Sequence, residues 1–262
     1  MATTITIANE KGGVGKTTTA VNLAAGLALR LSDRADGANR VLLVDMDPQG
    51  QAGKSLGFYV RDLAPNVYDL LLDPALPVEA VIRPSQVPNL DVICSNKRLS
   101  DFPVEAAPAA DRERRLAKKL EGLGRYDFVL VDSPPSAGLL TTNILLSVEE
   151  VVVPVNLTYF ALDGCAEIVE SVERMRRDFG KAVLDIVLVV PTLYRPTRLA
   201  EEILEKLRTH FPERTARTVI GYNVKIDEAQ SHGKTIWDYA AWSPGAAMLE
   251  SLSKEIWRAK QP

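Results

Sequence analysis

An apolar, β-branched run, Ile5 to Ala8, leads directly into Asn9-Glu10-Lys11-Gly12-Gly13-Val14-Gly15-Lys16-Thr17-Thr18, and a helical pattern follows at once. Few folds accommodate that order. A short continuous run of this kind favours a strand buried on both faces. Glycines at 12, 13 and 15 let consecutive backbone N–H groups turn toward one point. The helix that starts behind them adds the positive end of its dipole, so the junction suits a phosphate. In such a cradle Lys16 can reach the β- and γ-phosphates of a nucleoside triphosphate, and the Thr17 hydroxyl can ligate Mg2+. A dinucleotide-binding turn is the competing reading of a strand–glycine–helix junction. Here Gly13-Val14-Gly15 is followed by Lys16, Thr17 and Thr18, so the third glycine of that fingerprint is missing.

The rest of the chain continues the alternation. Val41 to Val44, Phe128 to Val131 and Ile186 to Val190 are similar runs, with Asp91 to Ile93 and Val151 to Val155 weaker. Between them Ala20-Leu23-Leu27-Leu31, Leu116-Leu120-Leu123, Ile168-Val172-Met175-Phe179 and Leu199-Ile203-Leu207 recur at the spacing of one helix face. Strands alternating with amphipathic helices predict an α/β fold: a doubly wound, mostly parallel sheet flanked by helices. The 262 residues, 46% hydrophobic and 25% charged, are expected to form a single domain over 1–262. Ala106 to Ala110, around Pro108, is too short to divide it, and Asp33 to Asn39 reads as a polar loop.

No basic, apolar leader precedes the first strand, and nowhere do about 18 apolar residues follow one another. The chain therefore reads as soluble and cytoplasmic. Cys94 and Cys165 lack metal-ligand spacing and are expected to be buried small residues in a reducing compartment. With a net charge of -3, nucleic-acid binding would need a local basic patch. Arg112, Arg114, Arg115, Lys118 and Lys119 sit on a helical pattern with Leu116 and Leu120 and read as a solvated face. His210 and His232 have no ligand-like neighbours.

Two acidic motifs end strands: Val44-Asp45-Met46-Asp47-Pro48-Gln49-Gly50 and Val131-Asp132-Ser133-Pro134-Pro135. Carboxylates at the C-terminal ends of neighbouring parallel strands lie beside the crevice where such folds bind ligands. A carboxylate there can hold Mg2+, generally through water. Asp45 has two open readings, a strand cap or a residue that fixes the loop.

The phosphate loop departs from the common G-x-x-x-x-G-K pattern, because Glu10 stands where the first glycine belongs and Lys11 precedes the glycines. This K-G-G-x-G-K-T form resembles the deviant Walker A loop of the ParA/MinD class of ATPases. The resemblance extends through Tyr159-Phe160-Ala161-Leu162-Asp163-Gly164, Val219 to Lys234 and Ser243 to Ile256. It implies ATP as ligand, with Mg2+, held by Lys11, Gly12, Gly13, Val14, Gly15, Lys16, Thr17 and Thr18. It implies that Lys11 reaches phosphates of a partner subunit in a nucleotide-sandwich homodimer, a solvated Lys11 being the plain alternative. It implies Asp132 as the Walker B carboxylate, acting on Mg2+ through water, and Asp47 as the residue that orients the attacking water. Tyr222 and Asn223 become base contacts.

Within the class, the chain is similar to short ParA proteins without a helix-turn-helix extension. These bind DNA without sequence preference in the ATP state and answer to a ParB-type centromere-binding protein, which implies a nucleoid-associated ATPase serving DNA partition. Gly221-Tyr222 replaces the usual Pro-Arg, so Arg195, Arg198 and Lys225 are the DNA-binding candidates, with Arg217 and Lys206 in reserve. A MinD-like membrane role would use the apolar stripe Met248, Leu249, Leu252 and Ile256. Glu250 and Glu255 interrupt its cationic face, and docking on the protein's own core is the expectation. Positioning of a protein cargo is a further alternative. So is a metabolic ligase on the same loop, while two unspaced cysteines disfavour an iron–sulfur reductase.

Overall fold

The glycine-rich junction folds as expected in a computed structural model that describes residues 2–31 and 40–259. Strand β1 (Thr3–Ile7) feeds the loop, and α1 (Lys16–Leu31) starts at the loop's second lysine. The polar stretch Asp33 to Asn39 lies outside the described residues. After it come β2 (Val41–Asp45), the short helices α2 (Gln51–Ser55) and α3 (Val67–Leu72), and strands β3 (Ile82–Pro84) and β4 (Leu90–Ile93). Helices α4 (Phe102–Glu105) and α5 (Arg115–Leu120) lead to β5 (Phe128–Asp132) and α6 (Leu139–Ser147). The C-terminal part adds β6 (Glu150–Asn156), α7 (Ala161–Phe179), β7 (Asp185–Thr192) and α8 (Arg198–His210). Helices α9 (Val224–Ser231), α10 (Ile236–Ala240) and α11 (Pro244–Ala259) close it.

Among the described residues seven strands form one sheet in the order β3-β4-β2-β5-β1-β6-β7. All neighbours are parallel except the β3–β4 pair. Side chains alternate across the sheet, and both faces are buried. Leu42, Val44, Val129, Val131 and Val153 point into one core, while Ile5, Ile7, Leu43, Leu130 and Val152 point into the other. That two-sided burial is why the strands read as continuous apolar runs rather than alternating ones. The edge strand β3 has no such run and was not foreseen; at three residues, it pairs with β4 alone among the described residues.

Three sequence expectations need correction. Leu123 lies beyond α5, which ends at Leu120, and it is buried from a turn rather than from a helix face. Leu199 is 48% exposed in the first turn of α8, where Ala200, Ile203 and Leu207 form the inner face instead. The basic run around α5 is not a merely solvated face. Arg115 Nη1 donates to the carbonyls of Leu71 and Leu72, each at 3.1 Å, and Lys119 Nζ to those of Asp73 and Pro74, each at 2.9 Å. These cations satisfy the carbonyls left open where α3 ends.

The last helix docks on the first. Leu249, Leu252 and Ile256 are buried in the same core as Leu23 and Leu27 of α1. At Gly26 the helices are so close that a Cβ would stand 2.9 Å from Ser253 Cβ. The stripe is therefore engaged within the chain. Cys94 and Cys165 are free and buried, and burial pushes each thiol up to about 12.

Candidate functional site

Gly13 (φ 70°) and Gly15 (φ 83°) adopt left-handed backbone, which costs a residue with a Cβ and costs glycine little. Space is not the reason, since a Cβ at either position would meet nothing within 4 Å. The Thr192 hydroxyl at the end of β7 donates to the Val14 carbonyl at 2.8 Å and clamps the loop to the sheet. Lys16 opens α1 almost fully buried, with Nζ donating to the Lys11 carbonyl at 2.7 Å. Burial lowers its pKa, and the charges of Asp132 and Asp47 oppose that shift. An amine held this way across the loop mouth is preorganised for an anion. Thr18 accepts from Gln230 Nε2 at 3.0 Å, tying α9 to the loop.

Asp132 and Asp47 act on the Lys16 charge, and Asp45 lies close to both of them. Asp45 and Asp132 stand opposite each other on β2 and β5, and Ile7 at the end of β1 is in register with Asp132. Asp132 is fully buried, and neither carboxylate oxygen has a hydrogen-bond partner among the described residues. Burial first, then the nearby Asp45 charge, pushes its carboxyl well above the usual range; the Thr17 hydroxyl is near enough to pull the other way without closing a hydrogen bond. A buried carboxylate without donors is costly unless a cation joins it. Asp132 with the Thr17 hydroxyl is therefore a fitting donor set for Mg2+. No group of three or more His, Cys, Asp or Glu among the described residues could hold a metal.

Asp45 answers its open question by geometry. It accepts from the Asp47 N–H and the Gly53 N–H, each at 3.1 Å, and so ties both ends of the loop between β2 and α2. Burial raises its carboxyl to about 7, and those backbone donors oppose the shift. Asp47, 8% exposed, accepts from the Gln49 N–H at 2.9 Å. Gly50 is required where it stands: its φ is 63°, and a Cβ would lie 2.7 Å from the Ser95 carbonyl.

Lys11 points away from its own loop. Its Nζ donates to the Phe160 carbonyl, lies 4.0 Å from Asp163 Oδ2 and stands 5.4 Å from the Phe160 ring centre. A Cβ at Gly164 would approach Lys11 Cδ to 3.0 Å. Phe160 and Asp163 were missed as functional neighbours, although their segment stood out in the sequence. Only the fold brings that segment, about 150 residues further along the chain, against the loop.

Tyr222 and Asn223 line a cavity together with Gly15, Thr18 and Thr19, beside the phosphate loop. Asn223 also caps α9, its Oδ1 accepting from the Lys225 N–H at 3.0 Å. Asp227 lines the same cavity, and no sequence signal marked it. A larger cavity between β7 and α11, with Ile5, Val152 and Leu188 in its wall, contains none of the loop residues and does not bear on this site.

The basic candidates differ in how free they are. Arg195 lies over the Tyr222 ring at 4.5 Å. Arg198 pairs with Glu202 at 3.0 Å on its own helix, its side chain 93% exposed. Lys225 pairs with Glu228 at 2.7 Å, and that hydrogen bond raises its pKa. Of the reserves, Lys206 lies on α8, and the Arg217 N–H donates to Glu255 Oε1 at 2.8 Å.

Comparison with known proteins agrees with this geometry. A family model described as an AAA domain matches residues 2–186. The chain is 41% identical to the chromosome-partitioning ATPase Soj of Treponema pallidum, over 98% of this chain and 97% of that protein. It is 38% identical to the chromosome partitioning protein ParA of Caulobacter vibrioides, over 96% and 92%. The solved cobyrinic acid a,c-diamide synthase of Mycobacterium smegmatis, with bound ADP and magnesium, superposes with a TM-score of 0.82 at 26% identity, covering 98% of this chain and 95% of that one. On these matches, and on its loop and carboxylates, the chain belongs to the ParA/Soj family of P-loop ATPases.

Proposed function

We propose that this chain is an ATP-hydrolysing, dimerising switch for DNA partition, which binds non-specific DNA in its ATP state and is regulated by a ParB-type centromere-binding protein. The observation that carries the reading is the pair of loop lysines. Lys16 is buried across the mouth of its own loop, whereas Lys11 turns outward and is held by Phe160 and Asp163. One cation serves the subunit's own nucleotide, and the other, on leaving Phe160 and Asp163, can reach the phosphates of a second copy in a nucleotide-sandwich homodimer.

In this reading the backbone of Gly12, Gly13, Val14 and Gly15 and the start of α1 at Lys16, Thr17 and Thr18 receive the phosphates of ATP. Thr17, and Asp132 through water, hold Mg2+. When bound there, the ion supplies positive charge against the phosphates. Lys16 neutralises the charge that develops on the transferred phosphoryl group, with Lys11 of the second copy adding to it. Asp47, fixed by its tie to Asp45, orients the attacking water. Phosphoryl transfer asks for this positioning and neutralisation and needs no covalent step with the protein. Unassisted turnover should be slow, as in switch GTPases whose unaided rates are on the order of 10⁻³ per second or less. Tyr222 and Asn223 contact the base, and all these residues work within one domain, 1–262.

Arg195, Arg198 and Lys225 are the proposed DNA contacts, on the loop before α8, its first residue and the first turn of α9. This makes the working protein nucleoid-associated in the cytoplasm. Two other readings are less well supported. A MinD-like membrane helix conflicts with burial of Leu249, Leu252 and Ile256 against α1. A metabolic ligase has a structural counterpart in the cobyrinic acid a,c-diamide synthase, but identity to the partition proteins is much higher, 41% and 38% against 26%.

The lysines can be tested separately from the rest. Lys11→Ala should bind ATP with near wild-type affinity in calorimetry yet stay monomeric with ATP and Mg2+ in analytical ultracentrifugation. A variant that dimerises normally would show that Lys11 is merely solvated.

A further inference from the structure

The Gly221-Tyr222 pair, which stands where the resemblance expects Pro-Arg, carries a consequence for the base site. The Tyr194 N–H donates to the Ile220 carbonyl at 3.1 Å, and the Tyr222 N–H returns a bond to the Tyr194 carbonyl at 3.0 Å. These bonds lock the segment after β7 to the segment before α9. Leu193, next to the bridge, is held at φ 52°, a strained conformation for a leucine that the surrounding bonds must enforce. Within this fixed frame the Arg195 guanidinium lies 4.5 Å from the centre of the Tyr222 ring. No acidic partner of Arg195 is found among the described residues, whereas Arg198 and Lys225 each have one. Tyr222 is 45% exposed, so the ring needs something to define its orientation. It is also part of the wall of the cavity that opens on Gly15, Thr18 and Thr19.

We propose that Arg195 is a positioning residue for nucleotide recognition: stacked on Tyr222, it holds that ring as the wall against which the base of the nucleotide packs. This rests on the ATP-site reading above and adds how the base, rather than the phosphates, is selected. A guanidinium over an aromatic face restricts the ring and polarises it, and a flat π-surface recognises a base by stacking without a dedicated hydrogen bond. The arrangement also gives Arg195 two competing roles. While it stacks on Tyr222 it is not available to a DNA phosphate, so the base site and the DNA face share one side chain.

Calorimetry with two ligands, each with Mg2+, separates this from a phosphate role: ATP, and inorganic tripolyphosphate, which has the charge and lacks the base. Arg195→Gln should weaken ATP by about 3- to 10-fold, the range of a partly desolvated cation–π contact. The same variant should leave tripolyphosphate within a factor of two of wild type. Tyr222→Phe should keep ATP affinity, Tyr222→Ala should weaken it at least as much as Arg195→Gln does, and adding Arg195→Gln to Tyr222→Ala should cost nothing more. Unchanged ATP affinity in Arg195→Gln overturns the proposal. So do equal losses for both ligands, or losses that add in the double variant. Failure of wild-type protein to bind either ligand would instead overturn the phosphate-loop reading itself.

Discussion

At the scale of single residues, the site combines groups that would be unfavourable anywhere else. Asp132 is buried with no donor among the described residues, Asp45 sits opposite it on the neighbouring strand, and Lys16 is buried beside the loop and the carboxylates. The arrangement is stable only as part of a larger charge balance that phosphates and a cation complete. Asp47→Ala should leave ATP and Mg2+ binding intact while removing the carboxylate proposed to orient water. ATP-dependent dimers should then persist for many wild-type turnover times in size-exclusion chromatography; wild-type phosphate release by this variant would move the catalytic role elsewhere, with Asp45 the first place to look. The raised carboxyl of Asp45 has a pH consequence of definite sign. The unfolded chain loses this proton near pH 4, whereas the folded protein keeps it to about 7, so stability falls as pH rises through that interval. The slope is at most about 1.4 kcal/mol per pH unit for one group. Urea unfolding without nucleotide at several pH values should show the decline, and Asp45→Asn should flatten part of it. Equal slopes in both proteins would mean that Asp45 is ionised in the fold.

At the scale of elements, what could be read from the chain depended on whether the signal was local. The strand–loop–α1 junction was readable because backbone conformation at Gly13 and Gly15 and the position of Lys16 are decided within a few residues. The buried strands were readable because two-sided burial leaves continuous apolar runs. The edge strand β3 was not, since its pairing is supplied by β4 and its residues carry no pattern. The same holds for the bonds that Arg115 and Lys119 make to carbonyls more than 40 residues away. Nor could Lys11's contacts with Phe160 and Asp163 be read from spacing. The α1–α11 contact is likewise visible only in the fold, and it is testable. Gly26→Ala should gain roughly 1 kcal/mol in helix propensity. Against that, its Cβ would press on Ser253 Cβ at 2.9 Å and the Trp237 ring at 3.0 Å. Overpacking typically costs about 1–3 kcal/mol, so the net effect should be a loss on the order of 1 kcal/mol. For a chain of this size that lowers Tm by about 2–4 °C. An unchanged or higher Tm would mean that the two helices can separate at no cost.

At the scale of the whole molecule, the proposed function rests on pairing. With a net charge of -3 the chain has no long-range attraction for DNA, and Arg198 and Lys225 are each paired with a glutamate on their own helix. One subunit is thus a weak phosphate ligand. Two subunits joined across their nucleotides would present two such patches, and contacts to a polyanion then add. On the proposed reading, that coupling would make ATP the control on DNA binding, and hydrolysis the timer that ends it. The most direct measurement is binding to random-sequence duplex DNA across a salt series, with ATP and Mg2+ and again with ADP. The account predicts binding in the ATP state alone, indifferent to sequence, with each neutralised phosphate steepening the log–log salt dependence by about 0.9. Charge reversal at Arg198 or Lys225 should weaken it equally on all sequences. ATP-loaded dimers that ignore random DNA even at low salt would contradict the partition reading.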